Sequence, residues 1–246
     1  MEQLLNENLD GNLKLLNWAV PGVEMPEYTV LMARLADYDP DLVLFVLDWK
    51  DLTDRLRRPL ETYPTDIMRL SFDPQYRVNL SQEFINAHEH SDPMTWFKNT
   101  TRLGRLLQYF DEPTAWEHRA SNPDKLLYAT EHTRTRRPKS WSEDSDWYLH
   151  DLMATYQKTV RDTPLVVVAM PRYLGWYEPE QVAEMDTLAS QLERVLGEYP
   201  NVRVIDHSKS ISEAYFYTDS HFDPIGHELF AQQLLEDILP ELSPDN

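Results

Sequence analysis

Apolar and polar positions along the chain follow two rhythms. Residues 42–47 and 165–170 are unbroken six-residue apolar runs bounded by polar or proline residues. Unbroken runs of this kind suit strands buried on both faces of a parallel sheet. Two further apolar stretches, 13–20 and 202–206, each follow a polar turn and predict two more strands. Between these runs the apolar residues recur at helical spacing. Val30, Leu31 and Leu35 precede the second strand, and Leu149, Leu152, Met153, Tyr156 and Val160 precede the third. Val182, Met185, Leu188, Ala189, Leu192, Val195 and Leu196 predict one long amphipathic helix, and Leu229, Phe230, Leu234, Leu235, Ile238 and Leu239 predict a last one. Alternating strand and helix implies an α/β fold with right-handed crossovers and a ligand crevice outside the carboxyl ends of the strands.

The alternation is interrupted over residues 52–143. That stretch holds prolines, histidines, five arginines between Arg55 and Arg77, and a basic cluster of Arg134, Arg136, Arg137 and Lys139. It reads as an insertion within a single domain spanning 1–246, a length that suits one large domain at about 150 residues per domain. Phe84 with Ile85 predicts one helix in it, and Leu103, Leu106, Leu107 and Phe110 predict another. A cap over the crevice and a packed peripheral decoration are both open readings.

Charge and composition narrow the function. The 23 basic and 42 acidic side chains give 23 − 42 = −19, which argues against a nucleic-acid partner, because nucleic acids select a basic face. The absence of cysteine removes disulfides, thiolate metal sites and a cysteine nucleophile. The longest apolar runs fall far short of the ~18 residues that a membrane span requires, and the acidic N-terminus lacks the basic start and apolar middle of a secretory signal, so a soluble protein is expected. Six glycines with no phosphate loop or dinucleotide fingerprint predict no nucleotide cofactor. His88 and His90 lack a third ligand at metal spacing, so no metal is expected either.

The most specific local signal is the tail "YTDSHFDPIGHELFAQQL", where Asp219 stands two residues before His221 on a loop ahead of the final helix. A carboxylate so placed can fix the tautomer of the imidazole while the other ring nitrogen faces a cleft. That is the base half of a nucleophile–base–orienter set. The tail resembles the C-terminal block of the SGNH (GDSL-type) hydrolase superfamily, glycine included. A second segment, "LLNWAVPGVEMPEYTVLMARLADYDPDLVLFVLDWKD", is similar to that family's second and third blocks: a strand ending in Asn-x-x-x-x-Gly, a helix, and "PDLV" opening the next strand.

The resemblance implies a three-layer α/β/α sandwich with a mainly parallel, flavodoxin-like sheet. It implies an ester hydrolase or O-acyltransferase acting on a small-molecule, carbohydrate or lipid ester, with Asp219 and His221 catalytic and Gly22 as the oxyanion-hole glycine. Lys50 stands where the family's third block has its asparagine, the second oxyanion donor. The family's first, central strand ends in Gly-Asp-Ser, whose serine is the nucleophile, and no such block occurs here. Ser208, Ser210 and Ser212 follow the last strand, and Ser71 sits in the insertion without a strand-to-helix elbow. In the family's strand order, 2-1-3-4-5, the absent strand is central, so either the nucleophile block lies upstream of Met1 or the element was lost and the sheet closed up. A catalytically inactive binding or scaffold module of the same fold is the alternative.

Lower-ranked candidates complete the set. Arg172 follows a strand end at the carboxyl edge, where substrate contacts gather and where ion-pair partners are also common. Tyr217 is placed to line a pocket or to fill the core, and Asn17 to contact substrate or to bond loop backbone. His207 and His227 have ordinary surface or capping explanations.

Overall fold

The structure is a computed structural model, and it describes residues 14–17, 23–53, 66–88, 140–218 and 220–242. Three strands, β1 (Val43–Leu47), β2 (Leu165–Ala169) and β3 (Val202–Asp206), form an all-parallel sheet in the order β1-β2-β3. Val43 lies opposite Leu165 and Leu47 opposite Ala169, while Leu165 lies opposite Val202 and Ala169 opposite Asp206. The register is therefore even, and the carboxyl ends of all three strands form one rim. β2 is central among them, and every one of its residues is buried, as its unbroken Leu-Val-Val-Val-Ala sequence requires.

The helices are α1 (Met25–Ala33), α2 (Trp49–Thr53), α3 (Asp66–Arg69), α4 (Pro74–Arg77), α5 (Gln82–His88), α6 (Glu143–Thr159), α7 (Pro179–Met185), α8 (Leu188–Leu196) and α9 (Pro224–Leu242). Side chains alternate across the pleat into two cores. Phe45, Leu47, Leu165, Val167 and Ala169 join Met25 and Met32 of α1, Leu149, Leu152, Met153 and Tyr156 of α6, and Leu192 and Leu196 of α8. Val166, Val168 and Ile205 point the other way and join Phe222 with Phe230, Leu234, Leu235 and Ile238 of α9. Among the described residues, no helix is long and apolar enough to cross a membrane.

Local chemistry explains the helix starts. α1 opens with a capping box, in which the backbone N–H of Glu24 donates to Glu27 Oε2 at 2.7 Å. α6 opens on Ser142 and Ser145, and the Ser145 hydroxyl donates to the Leu52 carbonyl at 2.7 Å. α9 opens on Asp223, whose Oδ1 accepts the Gly226 N–H at 2.7 Å.

Two expectations are corrected. The single long helix predicted over Val182 to Leu196 is two helices: Asp186 and Thr187 form a turn between them, in which both the Thr187 N–H (3.0 Å) and the Thr187 hydroxyl (2.6 Å) donate to the Glu184 carbonyl. The strand predicted at 13–20 is not formed over its described part: residues 14–17 are exposed and irregular and lie outside the three-strand ladder. The remaining positions of that stretch lie outside the described residues.

Of the insertion, residues 52–53, 66–88 and 140–143 are described, and they include the helix expected around Phe84 and Ile85. The expected helix near Leu103 lies outside the described residues. Met68, Leu80, Phe84 and Ile85 pack on Val30 and Ala33 of α1. Asn79 Nδ2 donates to the Ala33 carbonyl at 3.2 Å, and Lys158 Nζ donates to the Leu80 carbonyl at 3.1 Å. Ala33 and Lys158 belong to the last turns of α1 and α6, which lead into the amino ends of β1 and β2. These polar ties fasten residues 66–88 toward the end of the sheet opposite the carboxyl rim.

Candidate functional site

Three loops meet the carboxyl rim. After β1, Asp48 caps α2: its Oδ1 accepts the Lys50 backbone N–H at 3.3 Å, and its own N–H donates to Asp51 Oδ2 at 3.0 Å. Lys50 thus occupies the first turn of α2 with a half-buried side chain. After β2, Arg172 turns back to Asp48. Its Nε and Nη2 lie 2.5 and 2.6 Å from the two carboxylate oxygens, and its Nη1 donates to the Tyr177 hydroxyl at 2.8 Å. The guanidinium carbon also lies 5.7 Å from the centre of the Tyr177 ring. With the arginine side chain 4% exposed, this is a buried ion pair, hydrogen-bonded to Asp48 through Nη2. The positive charge predicted to meet substrate is neutralised within the protein.

After β3, His207 Nε2 lies 2.6 Å from Asp237 Oδ2 of α9, and its ring sits edge-on to Phe230. Arg203, two positions before Ile205 on the same side of β3, reaches Asp237 Oδ1 at 3.9 Å and Glu241 at 3.3 Å. Sequence reasoning missed this buried histidine–carboxylate pair. The available signal was the spacing Phe230, Leu234, Asp237, Glu241, which puts two acids in line with apolar residues on one helix face.

The third loop is a short hairpin leading into α9. Phe216 and Phe222 form an antiparallel bridge, and Tyr217 N donates to the His221 carbonyl at 3.1 Å. Phe222 is 2% exposed and stacks edge-on with Phe216 at 4.8 Å, while the neighbouring His221 is exposed. Strand alternation produces the contrast: one side chain anchors the hairpin in the core and the next stands outside it. Tyr173, one residue after Arg172, has its ring centre 6.2 Å from that of Phe216, so the hairpin touches the loop after β2.

His221 Nδ1 lies 2.5 Å from the Thr218 hydroxyl, and its ring stacks on that of Tyr217 at 6.0 Å. Tyr217 is 56% exposed, so it fills no core. Gly22 and Asp219 lie outside the described residues. Asn17 is exposed on an irregular segment. The structure thus brings Tyr217 and His221 together on the hairpin, and Arg172 with Asp48 and Lys50 at the β1–β2 rim.

Of the serines weighed from the sequence, the Ser71 hydroxyl donates to the Met68 carbonyl at 2.6 Å and Ser212 Oγ accepts from the Ala214 N–H. Ser208 and Ser210 are tied through their backbone, to Asp206 and Gln233, and the Ser210 hydroxyl is buried without a hydrogen-bond partner among the described residues.

No protein-family model, no curated protein and no solved structure matches the chain.

Proposed function

We propose that this chain is an SGNH-like domain, a three-layer α/β/α sandwich, that carries out ester hydrolysis or O-acyl transfer at the carboxyl rim with His221 as the base. The observation that carries the reading is the anchoring of the hairpin. Phe222 is buried against α9 and Phe216 meets Tyr173 of the β2 loop, so His221 is held as an exposed imidazole beside the rim immediately before the last helix. In the reaction, a serine hydroxyl attacks the acyl carbonyl and passes its proton to His221, and Asp219 orients the ring. The Gly22 backbone N–H stabilises the oxyanion, with Lys50 adding positive charge. The serine is the one expected upstream of Met1. The substrate class is an ester of a carbohydrate, lipid or small acid.

A binding or scaffold module of the same fold is the second reading. It is favoured by the closure of Arg172 on Asp48, which commits the Arg172 guanidinium to an internal carboxylate rather than to substrate.

Serine-reactive fluorophosphonate labelling, read by intact mass on the chain with and without its in-frame upstream residues, separates the two. Labelling that depends on His221 supports the hydrolase. Labelling of neither form favours the binding module. His221→Ala should abolish ester turnover while leaving the circular dichroism spectrum unchanged; undiminished turnover overturns the assignment.

A further inference from the structure

Thr218 is saturated with hydrogen bonds. Its Oγ1 accepts the backbone N–H of His221 at 3.0 Å and that of Ser220 at 3.4 Å, and it lies 2.5 Å from His221 Nδ1. A hydroxyl carries two acceptor lone pairs and one proton. The two backbone donors occupy both lone pairs, so the hydroxyl proton must go to the third partner. Nδ1 is then an acceptor, and a neutral His221 ring carries its proton on Nε2.

We propose that Thr218 is a positioning residue that latches His221 in the Nε2–H tautomer, so that the resting imidazole is a donor at the very nitrogen a general base would use to accept. Base catalysis through Nε2 needs the proton on Nδ1, where an orienting carboxylate can hold it. Exchange between the two forms releases one proton from Nε2 to water and takes one from water at Nδ1, with no net change in charge. While the Thr218 O–H points at Nδ1 that exchange is blocked. The hydroxyl proton must turn away, giving up its bond to the ring and disturbing the two backbone bonds that share its lone pairs, before the base can form. The consequence for turnover rests on the hydrolase reading above, whereas the tautomer itself does not.

The test is long-range ¹H–¹⁵N NMR of the histidine rings of the full chain at about pH 8.5, above the ordinary imidazole pKa, with the His221→Gln variant assigning the signals. The wild type should show a single Nε2–H tautomer for His221 and a Thr218 hydroxyl proton correlated with Nδ1. Thr218→Val, which keeps the shape and removes the hydroxyl, should lose that correlation and give a mixture of tautomers, and Thr218→Ser should restore the wild-type pattern. A protonated Nδ1 or a tautomer mixture in the wild type, or a Thr218→Val spectrum identical to wild type, overturns the latch. If Thr218→Val does not fold, the wild-type spectrum decides alone. Should the chain turn over esters, Thr218→Val should raise kcat several-fold with KM unchanged. A tautomer shift with no esterase activity in any variant sinks the hydrolase reading and leaves the latch standing; activity with Nδ1 protonated in the wild type does the reverse.

Discussion

Arg172 and Asp48 close on each other across the carboxyl ends of β2 and β1, with both carboxylate oxygens 2.5 to 2.6 Å from the guanidinium. Asp48 does two jobs at once, because the same carboxylate caps α2 through the Lys50 N–H. Tyr177 completes the shell around the arginine. Any substrate chemistry at this rim therefore shifts toward the hairpin, where Thr218 and His221 stand at the surface.

Breaking that pair separates its two jobs. Asp48→Asn keeps an effective helix cap and removes only the charge, leaving a guanidinium that is 4% exposed without its counter-ion. Unpairing a buried ion typically costs 3–5 kcal/mol, and Asp48, at 16% exposure, keeps some solvent, so a loss of about 3 kcal/mol is expected in urea unfolding. Arg172→Met should lose a similar amount, and the double variant should lose clearly less than the two together. Strict additivity would show that the two charges do not interact.

β1 and β2 were legible in the sequence because they are unbroken apolar runs, and a run such as Leu165 to Ala169 admits few other fates, whereas β3 carries Arg203 and Asp206 and was marked by the turn before it. The helices were legible in type but not always in extent. The apolar period continues across Asp186 and Thr187, and the break there is a local tightening of the backbone, with the Thr187 N–H turned to the Glu184 carbonyl, which periodicity does not register. At the site, the sequence put His221 on the loop ahead of α9, where it is found, but its contact with the Thr218 hydroxyl was not legible, because Asp219 was the partner the spacing suggested. The pairings of Arg172 with Asp48 and of His207 with Asp237 span 124 and 30 residues, and such partners become visible only once the strands are in register.

Asp151 of α6 gives a pH signature. It is buried at 5% exposure, accepts from the Ser81 hydroxyl, and its carboxyl is pushed up to about 6. Burial is the main cause; the Ser81 hydrogen bond pulls it back, the charge of Glu83 adds to the rise, and Lys158 opposes it. Because the folded-state value lies above the unfolded one, the protonated form favours folding. That stabilisation is complete below about pH 4 and is lost as pH rises through about 6. The shift from 3.8 to about 6 is equivalent to at most about 3 kcal/mol. Asp151→Asn keeps an acceptor for Ser81 and cannot ionise. Its stability relative to wild type should improve by about 2 kcal/mol between pH 4.5 and pH 8, because about a third of the effect is already present at pH 4.5, measured as paired urea unfolding curves. An unchanged difference across this range would show that Asp151 ionises no less readily in the folded chain than in the unfolded one.

Gly226 sits in the first turn of α9 with the hairpin pressed against it. A Cβ there would lie 2.9 Å from Phe222 Cβ and 3.0 Å from both Tyr215 Cβ and the Tyr215 carbonyl oxygen. That carbonyl accepts the Asp223 N–H at 2.7 Å, so the crowding falls on backbone that is already bonded and cannot be relieved by turning a side chain. Alanine gains about 1 kcal/mol of helix propensity over glycine, while overpacking of this kind costs about 1–3 kcal/mol. Because the close contacts include backbone, the upper part of that cost applies, and Gly226→Ala should be destabilising by up to about 2 kcal/mol net. The displaced groups are Tyr215 and Phe222, which flank the hairpin, so the NMR signals of the His221 ring should move as well, while those of His150, on the far side of the sheet with α6, should not. Equal or greater stability with an unshifted His221 would mean that the hairpin has room to spare, and that the glycine is not what lets it dock on the last helix.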